Sequence, residues 1–311
     1  MQRRTFITRA TSALAGASAL TLGTATAAEN HKPTFVLIHG AWHGAWCWSE
    51  VVRRLGAKGF SAVALDLPGH GLAARFPSSY TSQDLAAMST EISPLAALST
   101  NDYRDAVIKV LKGLVEAGTG PIILVGHSLG GATITAVAEA EPQLVRRLVY
   151  VSAFAPVKLP APLNYTTLPS FATSKLSQLL AADPAKVASL RINFNTTDPK
   201  RIAANKDTFC ADISDAEYSA VSNLLTPDEP IQGFVTPINP TAARWGRVPR
   251  TYIRCSQDHA IPLASQDQMI AEADQFTTSN KFVQETLDTS HSPFLSAPDA
   301  LVNLLDKAAQ S

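Results

Sequence analysis

The sequence is poor in cysteine and in charge. Its three cysteines, Cys47, Cys210 and Cys255, lie far apart with no C-x-x-C pair, so neither a zinc cage nor a disulfide framework can be read from them. An odd count leaves at least one free thiol, and Cys47 and Cys210 could pair only if their Cα atoms come within about 7 Å. Charged residues make up 17% of the 311 residues and split evenly, 26 basic against 26 acidic, with no Lys/Arg-rich block. That balance lacks the footprint of a polyanion-binding protein, so no nucleic acid partner is expected. After residue 28 no stretch approaches the ~18 apolar residues that a membrane span needs. What is present is a 46% hydrophobic content, too high for a disordered chain and sufficient for a large core.

The even charge balance hides an asymmetry. Residues 1–27 contain Arg3, Arg4 and Arg9 and no acidic residue, which leaves the remainder at −3. Arg3-Arg4-Thr5-Phe6-Ile7 precedes a small-residue run, Ala10 to Ala28, that carries Ala25-Thr26-Ala27, an A-x-A cleavage pattern. The segment resembles a twin-arginine export signal, with Gln2 and Thr8 departing from its usual flanks. A run of Ala, Thr, Ser and Gly inserts poorly in lipid, so cleavage is expected rather than anchoring, and a periplasmic or secreted location follows.

Short apolar runs alternate with helical patterns through the rest of the chain. Thr34 to Ile38, Ser61 to Leu65, Pro121 to Val125, Leu148 to Ser152, Thr251 to Cys255 and Lys281 to Thr286 read as strands, most of them apolar on both faces as buried parallel strands require. Helical stretches such as Trp48 to Ala57, Asn101 to Ala117 and Pro298 to Ala309 lie between them, which predicts an α/β fold with six parallel strands. The spacing breaks between Ser152 and Thr251, where no convincing strand appears. A structureless loop of that length is improbable in a compact domain, so residues 155–247 are expected to form a helical cap inserted in a core of 28–154 and 248–311. A second irregular stretch, Gly69 to about Ser99, reads equally as a wall of the site or as a surface loop.

Pro121-Ile122-Ile123-Leu124-Val125 runs into Gly126-His127-Ser128-Leu129-Gly130-Gly131 and then a helical pattern. This is G-x-S-x-G in a strand-turn-helix context, where a sharp turn exposes the Ser128 hydroxyl as a nucleophile. A serine needs a base. His43 and His70 precede Ser128, against the order Ser, acid, His that goes with this architecture. His259 adjoins the best acid, Asp258, and neighbouring side chains on a turn rarely meet, which leaves His291 as general base and then acid. Asp258 follows the Thr251 to Cys255 strand, where a carboxylate can meet His291; Asp288 is the runner-up. The backbone N–H groups of Ala41 and Leu129 are the expected oxyanion donors. Gly40, Trp42, His43 and His127 are expected near the substrate, and no metal or cofactor is required.

With these residues placed, the mature chain resembles the α/β-hydrolase superfamily. Phe35 to Trp48, with its His39-Gly40-Ala41-Trp42-His43-Gly44-Ala45-Trp46, is similar to the opening of the plant methylesterase and hydroxynitrile lyase family. Arg247 to Asp258 and His291 to Leu295 resemble that family's acid and histidine segments, and its bacterial relatives include pyrethroid-type esterases. The lyases carry a Thr at the place of Gly40 and a Lys at that of Ser292, so the resemblance favours hydrolysis. It implies an exported serine carboxylesterase acting on small to medium hydrophobic esters, with a ligand-binding receptor and a hydroxynitrile lyase as the alternatives.

Overall fold

A computed structural model describes residues Lys32–Ser311. The export segment expected over 1–27 lies outside the described residues. The strands are β1 (Thr34–Ile38), β2 (Ser61–Leu65), β3 (Ile122–Ser128), β4 (Arg147–Ala153), β5 (Ser189–Arg191), β6 (Asp228–Pro230), β7 (Arg250–Cys255) and β8 (Val283–Leu287). Six of them form one sheet in the order β2-β1-β3-β4-β7-β8, every pairing parallel. This is the six-stranded parallel α/β sheet that the alternation of strands and helices predicts.

Successive strand residues point to opposite faces, and both faces are covered. Phe35, Leu37, Ile123, Val125, Val149, Val151 and Ile253 pack on one side with Val51 and Leu55 of the helix Ser49–Ala57 and Leu301, Val302 and Leu305 of Pro298–Gln310. Val36, Ile38, Leu124, Tyr150 and Tyr252 pack on the other with the helices Thr100–Glu116, Gly130–Ala140 and Leu263–Phe276. Burying each large aliphatic side chain contributes about 1.5–3 kcal/mol. The longest of these helices starts on a capping box, in which the Ser99 hydroxyl and Asp102 carboxylate satisfy each other's free backbone groups. The outermost strands β2 and β8 are partly exposed, and the β8 sequence Val-Gln-Glu-Thr-Leu is polar enough to tolerate an edge.

The segment between β4 and β7 differs from the expected all-helical form. Besides the helices Pro199–Phe209 and Asp215–Ser222 it contains an antiparallel ribbon, β5 with β6. These three-residue strands are held by a fully buried ion pair: Arg191 donates to both carboxylate oxygens of Asp228, each at 2.7 Å. The same guanidinium donates to the Met88 and Glu91 carbonyls at 2.8 and 2.9 Å. Ser93 N–H adds a bond to the Val187 carbonyl. The Gly69–Ser99 segment is thereby fastened to the inserted segment. All three cysteines are buried and unbridged, and burial pushes their thiols well up. Among the described residues no helix is long and apolar enough to cross a membrane, and no group of His, Cys, Asp and Glu is arranged to hold a metal.

Candidate active site

Ser128 ends β3 and turns directly into the helix Gly130–Ala140. Its φ is 52°, the left-handed region that costs a non-glycine residue about 1–2 kcal/mol. Two glycines let the turn close. A Cβ on Gly126 would lie 2.6 Å from the Gly130 carbonyl oxygen, and one on Gly130 would lie 2.5 Å from that of His39. Gly40 is equally constrained, because a Cβ there would come within 2.5 Å of the Ser128 Cβ and 3.1 Å of its Oγ.

His291 lies on the loop after β8 and Asp258 on the loop after β7. The His291 Nδ1–H donates to Asp258 Oδ2 at 2.6 Å, and both side chains are almost wholly buried. The carboxylate has three further donors: the Ser152 hydroxyl on Oδ2, and the Ala260 and Ile261 N–H groups on Oδ1 at 2.7 and 2.8 Å. Held by these donors, the carboxylate accepts the Nδ1–H and so fixes the histidine tautomer whose Nε2 is an acceptor. Asp288 bonds Ser256 and Gln257 instead. His259 faces Asp207.

Among the described residues, no turn or side-chain acceptor takes the N–H of Ala41 or of Leu129. Trp42, next to Ala41, is left-handed with a φ of 62°. It lines a mainly apolar chamber of about 620 Å³ together with Phe171, Leu180, Leu190, Ile231 and Phe234. Neither Ser128, which is 8% exposed, nor His291 is part of that lining. Two expectations are corrected. His127 has no exposed surface; its Nε2–H donates to the His291 carbonyl at 2.8 Å, so it holds the histidine loop and cannot line a pocket. His43 is buried too, stacked on Trp46 with its Nδ1–H bonded to the Ala41 carbonyl. Burial lowers the pKa of both rings, that of His43 to about 4, so both are neutral.

Three acidic residues of the inserted segment, none of them among the candidates from sequence, grip the site's loops. Asp212 accepts both the N–H and the hydroxyl of Ser290, next to His291. Asp207, with Lys175, holds His259, next to Asp258. Glu229 accepts the Trp42 N–H at 3.3 Å. No local pattern distinguishes these carboxylates from solvated ones, because Trp42, His259 and Ser290, which they hold, each lie more than 50 positions away.

The model of the alpha/beta hydrolase family matches residues 35–304. Methylesterase 7 of Arabidopsis thaliana is 30% identical over 285 residues, covering 89% of this chain and 96% of that protein. Methyl jasmonate esterase 1 of Vitis vinifera is 27% identical, with 91% and 99% covered. A solved pyrethroid hydrolase, PytH, superposes with a TM-score of 0.68 at 25% identity and covers 90% of this chain and 98% of its own.

Proposed function

This chain belongs to the alpha/beta hydrolase family, and from that premise we propose that it is a serine carboxylesterase. Ser128 Oγ attacks the ester carbonyl while its proton passes to His291 Nε2; the imidazolium is stabilised by Asp258 through Nδ1–H. The tetrahedral oxyanion is held by the Ala41 and Leu129 N–H groups. Collapse expels the alcohol, which takes the proton from His291 and leaves an acyl group on Ser128. Water, deprotonated by His291, then releases the acid and restores the hydroxyl. The observation that carries this reading is the 2.6 Å pair of His291 with a fully bonded Asp258, in a chain whose Ser128 is strained on a G-x-S-x-G turn.

Methylesterase and pyrethroid hydrolase relatives support an ester substrate, and the apolar chamber bordered by Trp42 supports a hydrophobic one. Residues 155–247 act as the cap and supply all of that chamber's lining except Trp42. Ser292 next to His291 offers no cation, and Gly40 has no room for a side chain, so hydrolysis is supported over cyanohydrin cleavage. Arg3-Arg4 and the A-x-A pattern support export by the twin-arginine route to the periplasm or beyond. Ser128→Ala is expected to abolish turnover of p-nitrophenyl acetate, a loss of about 10⁴-fold or more, without lowering the melting temperature. Retained turnover refutes the assignment.

A further inference from the structure

Every polar group of Trp42 is taken by the inserted segment. Its indole N–H donates to the Leu190 carbonyl at 2.9 Å, and its own carbonyl accepts the Thr226 N–H at 2.9 Å and hydroxyl at 3.1 Å. Its backbone N–H donates to Glu229 Oε2. Glu229, on β6, is buried and belongs to a cluster drawn from four parts of the chain. His70 Nε2 lies 2.9 Å from the same Oε2, and the Tyr103 hydroxyl donates to Oε1 at 2.9 Å. The other His70 nitrogen faces the Pro68 carbonyl, so both ring nitrogens meet acceptors, as they do in a protonated ring. A carboxylate in this position has its geometry set on both oxygens. It acts on a residue whose left-handed backbone is unfavourable unless something holds it.

We propose that Glu229, fixed by His70 and Tyr103, is a positioning residue for the oxyanion hole: by holding the Trp42 N–H it keeps the left-handed turn that aims the preceding Ala41 N–H at the reacting oxygen. The proposal rests on the serine esterase reading. Glu229 touches no substrate atom and acts through Trp42. Its removal therefore weakens interactions made in the tetrahedral state and leaves ground-state binding nearly intact.

The test compares Glu229→Gln with the unaltered protein on p-nitrophenyl acetate, after counting active sites by fluorophosphonate titration. It also measures the inhibition constant of an octyl trifluoromethyl ketone, to which Ser128 adds to form a hemiketal oxyanion. The expected result is a kcat lower by about 10- to 100-fold, a KM within about 3-fold, and ketone affinity lost in proportion to kcat. A variant with unchanged kcat per active site and unchanged ketone affinity overturns the proposal, as does one in which KM rises while kcat holds. If Glu229→Gln does not fold, Tyr103→Phe decides. It removes only the bond to Oε1, so kcat and ketone affinity fall together by about 3-fold if the proposal holds and stay unchanged if it does not. Absence of esterase activity and of ketone inhibition in the unaltered protein defeats the underlying reading instead.

Discussion

The sheet and the inserted segment share one apolar core but take their form from different kinds of contact. The sheet is held by apolar strands whose burial is non-directional and whose spacing repeats, so its form follows from local pattern. The segment between β4 and β7 shares that apolar core through residues such as Phe171, Phe194, Phe209 and Phe234, but its place over the loops is set by discrete polar contacts: Arg191 with Asp228, Glu229 with His70 and Tyr103, and Asp212 with Ser290. Both reach the same site. The sheet presents Ser128, Asp258 and His291 at the ends of β3, β7 and β8, while the inserted segment grips the loops beside them. The comparison teaches that the segment over the site is more than a wall, because its docking sets the geometry of the loops it touches.

The sharpest way to break this division is on the sheet side, at Gly40. Gly40→Ala is expected to lower kcat by about 10³-fold, roughly 4 kcal/mol, because its methyl group would have to share space with Ser128. The fold should survive, as judged by the melting temperature; a kcat within 3-fold would show that the turn relaxes freely. On the inserted side, Arg191→Met leaves Asp228 buried without its partner and is expected to destabilise by about 3–5 kcal/mol, read from the urea midpoint. A loss below 1 kcal/mol would mean that apolar packing, not the ion pair, holds the ribbon.

Acid should expose the sheet side next. Burial lowers the pKa values of His39, His43 and His127, that of His43 to about 4, so below pH 6.5 the unfolded chain takes up protons that the folded one refuses. Stability is expected to be full above pH 6.5 and to fall as pH drops toward 4, His43 alone accounting for about 3 kcal/mol. His70 opposes this weakly: burial works against its charge, but Glu229 raises its pKa, so its contribution is present below pH 6.5 and fades as pH rises through the raised value. Urea midpoints at pH 4.5 and pH 7.5 check the sign, and equal midpoints would contradict it. The smallest effect is expected at Asp212→Asn, about 10-fold in kcat with an unchanged midpoint, because the Ser290 loop loses one charge-assisted grip while His127 still holds the His291 carbonyl. An unchanged kcat would mean that His127 alone positions the loop.

What was legible in the sequence divides along the same line. β1 and β2 are read to the residue, since their apolar runs are bounded by turns. The expected last strand, Lys281 to Thr286, is displaced from the observed β8, because Gln284, Glu285 and Thr286 at an edge carry no burial signal. The place of Asp258 beside His291 follows from where β7 and β8 end. The β5–β6 ribbon is invisible because three-residue strands have no period, and the pairing of Arg191 with Asp228 across 37 positions leaves no local trace. The burial of His43 and His127 depends on Phe294, far along the chain, packing over both rings.

The most direct test of the esterase account is where a fluorophosphonate probe attaches. Peptide mass mapping of the labelled protein is predicted to find the adduct on Ser128 alone, with labelling lost in Ser128→Ala and strongly slowed in His291→Ala. An adduct on any other residue, or labelling that survives in Ser128→Ala, would contradict it.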